Sequence, residues 1–273
     1  MTGWARRAGE SRLRPGSETF GSGSCNGKTG RPRRPQTGAG GPAGQGKEGM
    51  RNMNHGEKRA VLFDLDGTLL HTLDDIAQSM NYALEACGLP PWERDAYRYM
   101  VGNGARILAE RAVRDRADLA DRVLETYQRR YEKHLMDQTR PYPGIPETLR
   151  RLTEMGVPLS VLSNKPDADT KRVVADSFPD IPFVCVQGQT PDLPRKPDPA
   201  AALAVAEKMG IPPASFYYLG DTSVDMECAR LAGMHPVGVL WGFRTRTELL
   251  GSGAEMLIAR PEEFPEAVGW TEP

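Results

Sequence analysis

Ala60-Val61-Leu62-Phe63-Asp64-Leu65-Asp66-Gly67-Thr68 is the stretch on which the fold turns. Four apolar residues with no polar break read as a strand buried on both faces, the kind found in parallel sheets. The run stops at two carboxylates two residues apart, followed by a glycine that permits a sharp turn. Alternation along an extended chain puts Asp64 and Asp66 on the same side. A calcium loop is the obvious rival for this acidic word. Such a loop follows a helix and carries its glycine at the sixth position and a glutamate at the twelfth. Counted from Asp64, Gly67 is only the fourth residue, so the rival fails.

Downstream of this strand, short apolar runs alternate with helical patterns, which predicts βαβ units and an α/β, Rossmann-like parallel sheet. Further strands are expected at Pro158–Leu162, Phe183–Val186, Phe216–Leu219 and Pro236–Leu240, with a sixth at Met256–Ala259. Helices are expected over Ile145–Glu154, Asp167–Ser177, Pro199–Met209 and Ser223–Ala232, the last closed by Gly233 as its C-cap. One interval breaks the rhythm. Between the first and second strands, Leu73, Ile76, Ala77, Met80, Ala83, Leu84 and Cys87 follow helical spacing, and so do Leu119, Val123, Leu124, Tyr127 and Tyr131. An all-helical insert over 71–142 is therefore expected, ending at the stiff Pro141-Tyr142-Pro143-Gly144 turn, with the core made of 58–70 and 143–273. An insert that leaves the sheet after its first strand emerges above the strand C-termini, where open α/β sheets bind ligands. It is placed like a lid.

Residues 1–57 are different in kind. They hold fourteen of the 29 glycines and ten Lys/Arg against four Asp/Glu, leaving the remainder of the chain with a net charge of −7. With so little apolar surface to bury, this segment cannot offset the entropy of ordering and is expected to be a disordered, solvated basic leader. Met50 and Met53 sit just before the folded part, as they would if upstream sequence had been translated ahead of the true start. A basic arm for nucleic acid and an organelle transit peptide are the functional rivals; abundant Gly and Pro oppose the amphipathic helix that a transit peptide needs. The overall 39% hydrophobic content, 26% charged content and net charge of −1 over 273 residues thus average two unlike segments. No run approaches the length of a membrane helix and no secretory h-region precedes the core. Cys25, Cys87, Cys185 and Cys228 are widely spaced, which gives neither a zinc site nor a disulfide framework. A cytoplasmic protein without membrane or nucleic-acid partners is expected, as a monomer or a homodimer.

Three more segments carry chemistry. Ser163-Asn164-Lys165 ends the second strand, where hydroxyls and exposed amides can cradle a phosphate. Lys196 stands in Arg195-Lys196-Pro197-Asp198-Pro199, a proline-stiffened turn that can aim the ammonium inward. Gly220-Asp221-Thr222-Ser223-Val224-Asp225 places two acids four apart at a helix start, where either could also be a plain cap.

In order and spacing, Asp64-x-Asp66-Gly67-Thr68, Ser163, Lys196 and Gly220-Asp221-x-x-x-Asp225 resemble the four motifs of haloacid dehalogenase-like hydrolases over about residues 58–265. The insert is similar to the C1 helical cap of the phosphoglycolate phosphatase-like branch, as are Ser163-Asn164-Lys165-Pro166, Lys196-Pro197-Asp198-Pro199 and Trp241-Gly242-Phe243. The resemblance implies a magnesium-dependent phosphatase acting on a small phosphorylated metabolite. Asp64 would be nucleophile and metal ligand, forming an aspartyl-phosphate. Asp66 would be general acid and then base, with its carbonyl on the metal. Asp221 would be a ligand, and Asp225 a ligand or an outer-shell acceptor. Ser163 and Lys196 would hold the transferring group, Thr68 would orient the loop, and Asn164 would help bind substrate. The positive groups have a physical reason: a carboxylate approaching a phosphate dianion meets about 1 kcal/mol of repulsion per charge pair at 4 Å in water, and several-fold more in a drier site.

Where relatives commonly carry an acid after Asp-Gly-Thr-Leu-x, this chain has His71-Thr72. His71 is expected at the hinge, with substrate contact or titration near neutral pH as the rival, and Thr72 is expected to cap the first lid helix. The cap loop Val101-Gly102-Asn103-Gly104-Ala105-Arg106 resembles the branch's substrate-facing loop, where Arg106 could pair with a substrate carboxylate, with an exposed helical arginine as the rival reading. Trp241 and Phe243 are expected to pack rather than bind. Phosphoglycolate leads as substrate. Pyrophosphatase and sugar-phosphate mutase activity are alternatives on the same fold, and a non-catalytic binding protein is a third reading, opposed by the intact Asp64, Asp66, Lys196 and Asp221.

Overall fold

The computed structural model describes residues 59–270; the basic leader lies outside them. β1 (Ala60–Phe63) is fully buried and alternates its side chains between two cores. Val61 and Phe63 join one apolar cluster, Ala60 and Leu62 the other. The chain then passes the Asp64–Leu69 loop into β2 (Leu70–His71), and the cap follows as α1 (Leu73–Ala86), a 3-10 turn at Arg94–Tyr99, α2 (Ala105–Ala112), a 3-10 turn at Ala117–Leu119 and α3 (Ala120–His134). β3 (Arg140–Pro141) returns antiparallel to β2, pairing Leu70 with Pro141 and His71 with Arg140. This two-stranded strap, which the sequence reading did not anticipate, carries both crossings between cap and core.

The rest is the α/β alternation: α4 (Ile145–Glu154), β4 (Leu159–Pro166), α5 (Asp167–Ser177), β5 (Cys185–Gln189), α6 (Ala200–Met209), β6 (Phe216–Gly220), α7 (Ser223–Ala232), β7 (His235–Val239), α8 (Arg246–Gly251), β8 (Met256–Ile258) and α9 (Phe264–Ala267). All neighbours pair in parallel in the order β5-β4-β1-β6-β7-β8. β1 and β6 are thus adjacent at the centre, and the chain order reverses beside β1. That is the position where the loops after β1, β4 and β6 open a crevice at one end of the sheet. Gly233 adopts a left-handed conformation at the end of α7, as its sequence position predicts.

Two strand expectations need correction. β5 begins at Cys185 and not at Phe183, because Phe183 packs its ring edge-on against Phe178 before the ladder starts, and the strand then continues through polar Gln187 and Gln189. β5 is an edge strand, so polar residues there cost little. β4 runs on to Pro166 instead of turning at Ser163. The extension matters for chemistry: residues two apart in an extended chain share a side, so Ser163 and Lys165 both face the crevice.

The expectation for Thr72 also fails. It occupies the N-cap position of α1, but at φ −106° and ψ −3° its hydroxyl makes no capping bond and is buried without a partner. The first turn of α1 is anchored by its acids instead. Asp75 accepts from the Gln138 and Thr139 amides and the Thr139 hydroxyl at 2.8–3.0 Å, tying α1 to the returning strap. Asp74 pairs with Arg94 at 2.6 Å. Inside the cap, Asn81 brackets Trp92 with two 2.9 Å bonds and accepts the Tyr97 hydroxyl at 2.5 Å.

Candidate active site

The four chemically marked segments meet at the C-terminal end of the sheet, beneath the cap. Asp64 leaves β1 with its amide donated to the Leu219 carbonyl at 2.9 Å, which locks the loop after β1 onto β6. Gly67, at φ +98°, turns the chain so tightly that a Cβ there would lie 2.3 Å from Asp221 Oδ2. A Cβ on Gly242 would lie 2.2 Å from Asp221 Cβ. Two glycines therefore make the space in which Asp221 sits, and the sequence reading singled out neither for that reason.

Lys196 is the hub of the charged groups. Its Nζ donates to Asp64 Oδ1 at 2.6 Å, Asp225 Oδ1 at 2.7 Å and the Leu162 carbonyl at 3.1 Å, with only 3% of the side chain exposed. All three ammonium hydrogens are used. Asp225 is fixed further by the capping box of α7, accepting at Oδ2 from the Thr222 amide and hydroxyl at 3.1 and 2.6 Å. Thr68 Oγ1 lies between Asp64 and Asp221, at 3.3 and 3.4 Å. Asp221 accepts the Phe243 amide at 2.7 Å, and Trp241 donates its indole N–H to the Thr68 carbonyl at 2.9 Å. Trp241 and Phe243 thus support the site without lining the cavity.

Carboxylate oxygens of Asp64, Asp221 and Asp225, all three buried, lie within 4.8 Å of one another. Burial, reinforced by Asp225, raises the Asp64 carboxyl to about 7 despite Lys196 beside it. Burial, with Asp64 and Asp225 nearby, pushes Asp221 well above the ordinary carboxylate range. Three carboxylates against one ammonium leave a charge deficit that an all-oxygen donor set can relieve with a hard divalent cation. The donor set fits such an ion. Because the ion binds the ionised acid, it competes with a proton at Asp64. Apparent affinity for a divalent cation should therefore climb as pH rises through about 7, where Asp64 ionises, with the raised Asp221 carboxyl adding to the climb and protons released on binding over that range. Calorimetry in two buffers of different ionisation heat checks this, and an affinity independent of pH refutes it.

The cavity between core and cap has a volume of about 350 Å³. The core contributes Asp64, Asp66, Ser163, Asn164, Lys165 and Lys196; the cap contributes Ile76, Val101, Leu108, Tyr127 and Tyr131 among others. Polar bonds close the cap over it. Arg98 donates to the Gly242 carbonyl at 2.6 Å. Arg244 donates to the carbonyls of Arg98 and Val101.

The predicted site residues thus fall into three groups. Asp64, Thr68, Lys196, Asp221 and Asp225 form one bonded cluster, and Ser163 and Asp66 line the same cavity. Asn164 lines it too, but its side-chain amide is consumed: Oδ1 accepts the Lys196 amide at 2.9 Å, and Nδ2 donates to the Gly102 and Lys196 carbonyls at 2.9 and 3.1 Å. It positions the lysine and the cap loop rather than offering itself to a ligand. For Arg106 the substrate-pairing expectation fails and the exposed helical arginine holds. It faces away from the cavity, about half exposed, paired with Asp121 at 2.9 Å and Glu110 at 3.6 Å. The helical phase of α2 turns Ala105 and Leu108 inward, which leaves position 106 outside. His71 sits on the hinge strap against Tyr142, 3.2 Å from Asp74, and not on the cavity; burial lowers its basicity below the ordinary histidine value.

Sequence reasoning missed Lys165 and Tyr131. Lys165 Nζ donates to Asp66 Oδ1 at 2.8 Å and to the cap's Tyr131 hydroxyl at 2.7 Å. Tyr131 stacks on Tyr127 at 5.2 Å and 14°. The available signals were the two-residue step from Ser163 along an extended strand and the i, i+4 spacing of the two tyrosines. Arg244 gave no such signal.

The family profile of haloacid dehalogenase-like hydrolases matches residues 61–239. A phosphoglycolate phosphatase of Pseudomonas putida is 35% identical over 193 residues, covering 68% of this chain and 70% of the relative. One from Aquifex aeolicus is 30% identical over 206 residues, covering 76% and 94%. Among solved structures, a predicted phosphoglycolate phosphatase from Haemophilus somnus superposes with a TM-score of 0.73 at 27% identity, covering 79% of this chain and all of that one. With its motifs gathered at one end of a parallel sheet beneath a helical cap, the chain belongs to the haloacid dehalogenase-like hydrolases, in their phosphoglycolate phosphatase-like branch.

Proposed function

We propose that the protein is a magnesium-dependent phosphomonoesterase for a small phosphorylated metabolite, with phosphoglycolate as the leading substrate. The observation that carries the reading is the buried pairing of Asp64 with Lys196 at 2.6 Å in a cavity that Asp66 also lines. A buried carboxylate held by an ammonium is a poised nucleophile with its countercharge in place. The names of the relatives support the substrate, and the oxygen donor set supports magnesium.

In this mechanism an Asp64 oxygen attacks phosphorus and the bond from phosphorus to the leaving oxygen breaks. Asp66 gives its proton to that oxygen, releasing the alcohol. The Asp66 carboxylate then takes a proton from water, the hydroxide attacks phosphorus, and the bond to Asp64 breaks, returning the Asp64 carboxylate, protonated Asp66 and inorganic phosphate. Ser163 faces the phosphoryl oxygens, and the Lys196 ammonium, held against Asp64, supplies positive charge beside them as negative charge develops there. Thr68 keeps Asp64 and Asp221 in register. Asp64, Asp221 and the Asp66 carbonyl would hold the magnesium ion, with Asp225 behind them; when bound, the ion supplies positive charge against the dianionic substrate.

The expected result is phosphate release from 4-nitrophenyl phosphate and from 2-phosphoglycolate that depends on added magnesium and stops with a chelator. Phosphate release unaffected by the chelator, or none from any ester, refutes the reading. Among the described residues no helix is long and apolar enough to cross a membrane.

A further inference from the structure

Resting on the phosphatase reading, we infer that Lys165 and Tyr131 form the specificity subsite for the leaving group, and that the group they take is a carboxylate carried directly by the ester carbon. Among the described residues, Lys165 alone of the cations around the cavity is both buried and left with a free hydrogen. Lys196 has every ammonium hydrogen committed to Asp64, Asp225 and the Leu162 carbonyl. Arg129 stands at the rim, 71% exposed, with Glu125 4.0 Å away. Arg106 points out of the cavity to Asp121 and Glu110. Lys165 remains, 4% exposed.

Its bonds leave two donors unused. The Lys165 ammonium has three hydrogens and two partners, Asp66 and the Tyr131 oxygen. Tyr131 accepts from Lys165, and its own O–H has no acceptor among the described residues. Burial pushes that phenol well above its ordinary value, so it keeps its proton at any working pH. A free N–H and a free O–H on bonded neighbours, both buried in the cavity wall, are costly to leave unmade and match the two oxygens of one carboxylate. Placement fits the chemistry. Asp66, which protonates the leaving oxygen, is 2.8 Å from the same ammonium, so a carboxylate one carbon beyond that oxygen comes within its reach. Because Tyr131 belongs to the cap and Lys165 to the core, such a substrate would also bridge the two. Glu125, Glu132 and Asp169 also line the cavity, and Asp169 lies near enough to Lys165 and Tyr131 to interact with both.

The test compares 2-phosphoglycolate with 2-hydroxyethyl phosphate, which replaces the carboxylate by an uncharged alcohol. Wild type should prefer phosphoglycolate in kcat/KM. Lys165→Met should shrink that preference by roughly 10–100-fold, mostly through KM, the range of a charge-assisted bond. Tyr131→Phe, which keeps the ring stack, should shrink it by roughly 5–10-fold, the range of a neutral bond. A fall in kcat equal for both substrates would mean that Lys165 acts only by positioning Asp66, which overturns the subsite. Wild type without a preference overturns it as well. Should Lys165→Met not yield folded protein, Tyr131→Phe decides alone, and an unchanged substrate ratio refutes the subsite. If wild type cleaves 4-nitrophenyl phosphate but phosphoglycolate poorly, the subsite fails and the phosphatase reading stands; if it cleaves nothing, both fail.

Discussion

Asp64→Asn should abolish turnover while leaving the metal-free protein at least as stable as wild type. The loss expected is on the order of 10⁴-fold or more in kcat, about 5.5 kcal/mol of barrier, since an amide is no nucleophile and Asp66 alone cannot form the intermediate. Stability moves the other way because Asp64 sits buried beside Asp225, which raises its carboxyl to about 7 against the ordinary 3.8. A group raised on folding contributes its stability fully below the unfolded value and loses it as pH climbs through the folded one. Between about pH 4 and pH 7, wild type should therefore lose stability relative to Asp64→Asn, whose side chain does not titrate. Lys196 keeps Asp225 as partner at 2.7 Å in the variant, so no buried ammonium is orphaned. Melting temperatures of both proteins in chelator across that range, with single-turnover phosphate release, check the two halves separately. Residual turnover above a thousandth of wild type would remove Asp64 from the nucleophile's role. A variant that melts below wild type at pH 8 would contradict the burial argument.

How far the sequence alone carried this picture depends on the kind of force involved. β1 could be read because a strand buried on both faces must be apolar throughout, and α4, α5 and α7 because their ends carry local punctuation. The cluster of Asp64, Lys196, Asp221 and Asp225 was legible through its resemblance to the family's four motifs, since Lys196 alone could be a surface lysine and either acid of the last motif a plain cap. What stayed hidden depends on facing partners. Position 106 looked suitable for a substrate because it follows the glycine loop, yet one helical step decides whether a side chain faces the cavity, and Ala105 and Leu108 face it instead. Lys165 looked like the tail of a turn because β4 was expected to stop at Leu162; the strand continues because Gln187 and Gln189 of β5 keep pairing with it, across an irregular register. Thr72 has the right residue type for a cap, but its backbone is already helical and its hydroxyl cannot reach back.

Lys196→Met should carry the largest combined loss, with activity and stability falling together. Its ammonium sits between Asp64 and Asp225 at 2.6 and 2.7 Å with almost no exposure. Those two neighbours hold the lysine charged, raising it well above its ordinary value against the cost of burial. Methionine fills similar volume but leaves two buried carboxylates facing each other without the cation, a defect of about 3–5 kcal/mol in comparable buried pairs. Against a total stability of about 5–15 kcal/mol for an ordinary domain, this is a large fraction. Urea denaturation in chelator at pH 8 should show it as a lower midpoint, and the deficit should shrink at acid pH as the carboxylates take up protons. Turnover should fall by at least 10²–10³-fold, since the positive charge held beside Asp64 and the developing phosphoryl oxyanion is lost. Lys196→Arg should rescue little, because a planar guanidinium cannot place three hydrogens on acceptors arranged around a single ammonium. The double variant Lys196→Met with Asp64→Asn supplies the sharpest outcome. Removing the acid removes half of the uncompensated charge, so the double variant should be more stable than Lys196→Met alone, and the two changes should be strongly non-additive. Additive effects would mean that the 2.6 Å contact carries no energetic coupling, and the poised-nucleophile arrangement would have to be abandoned.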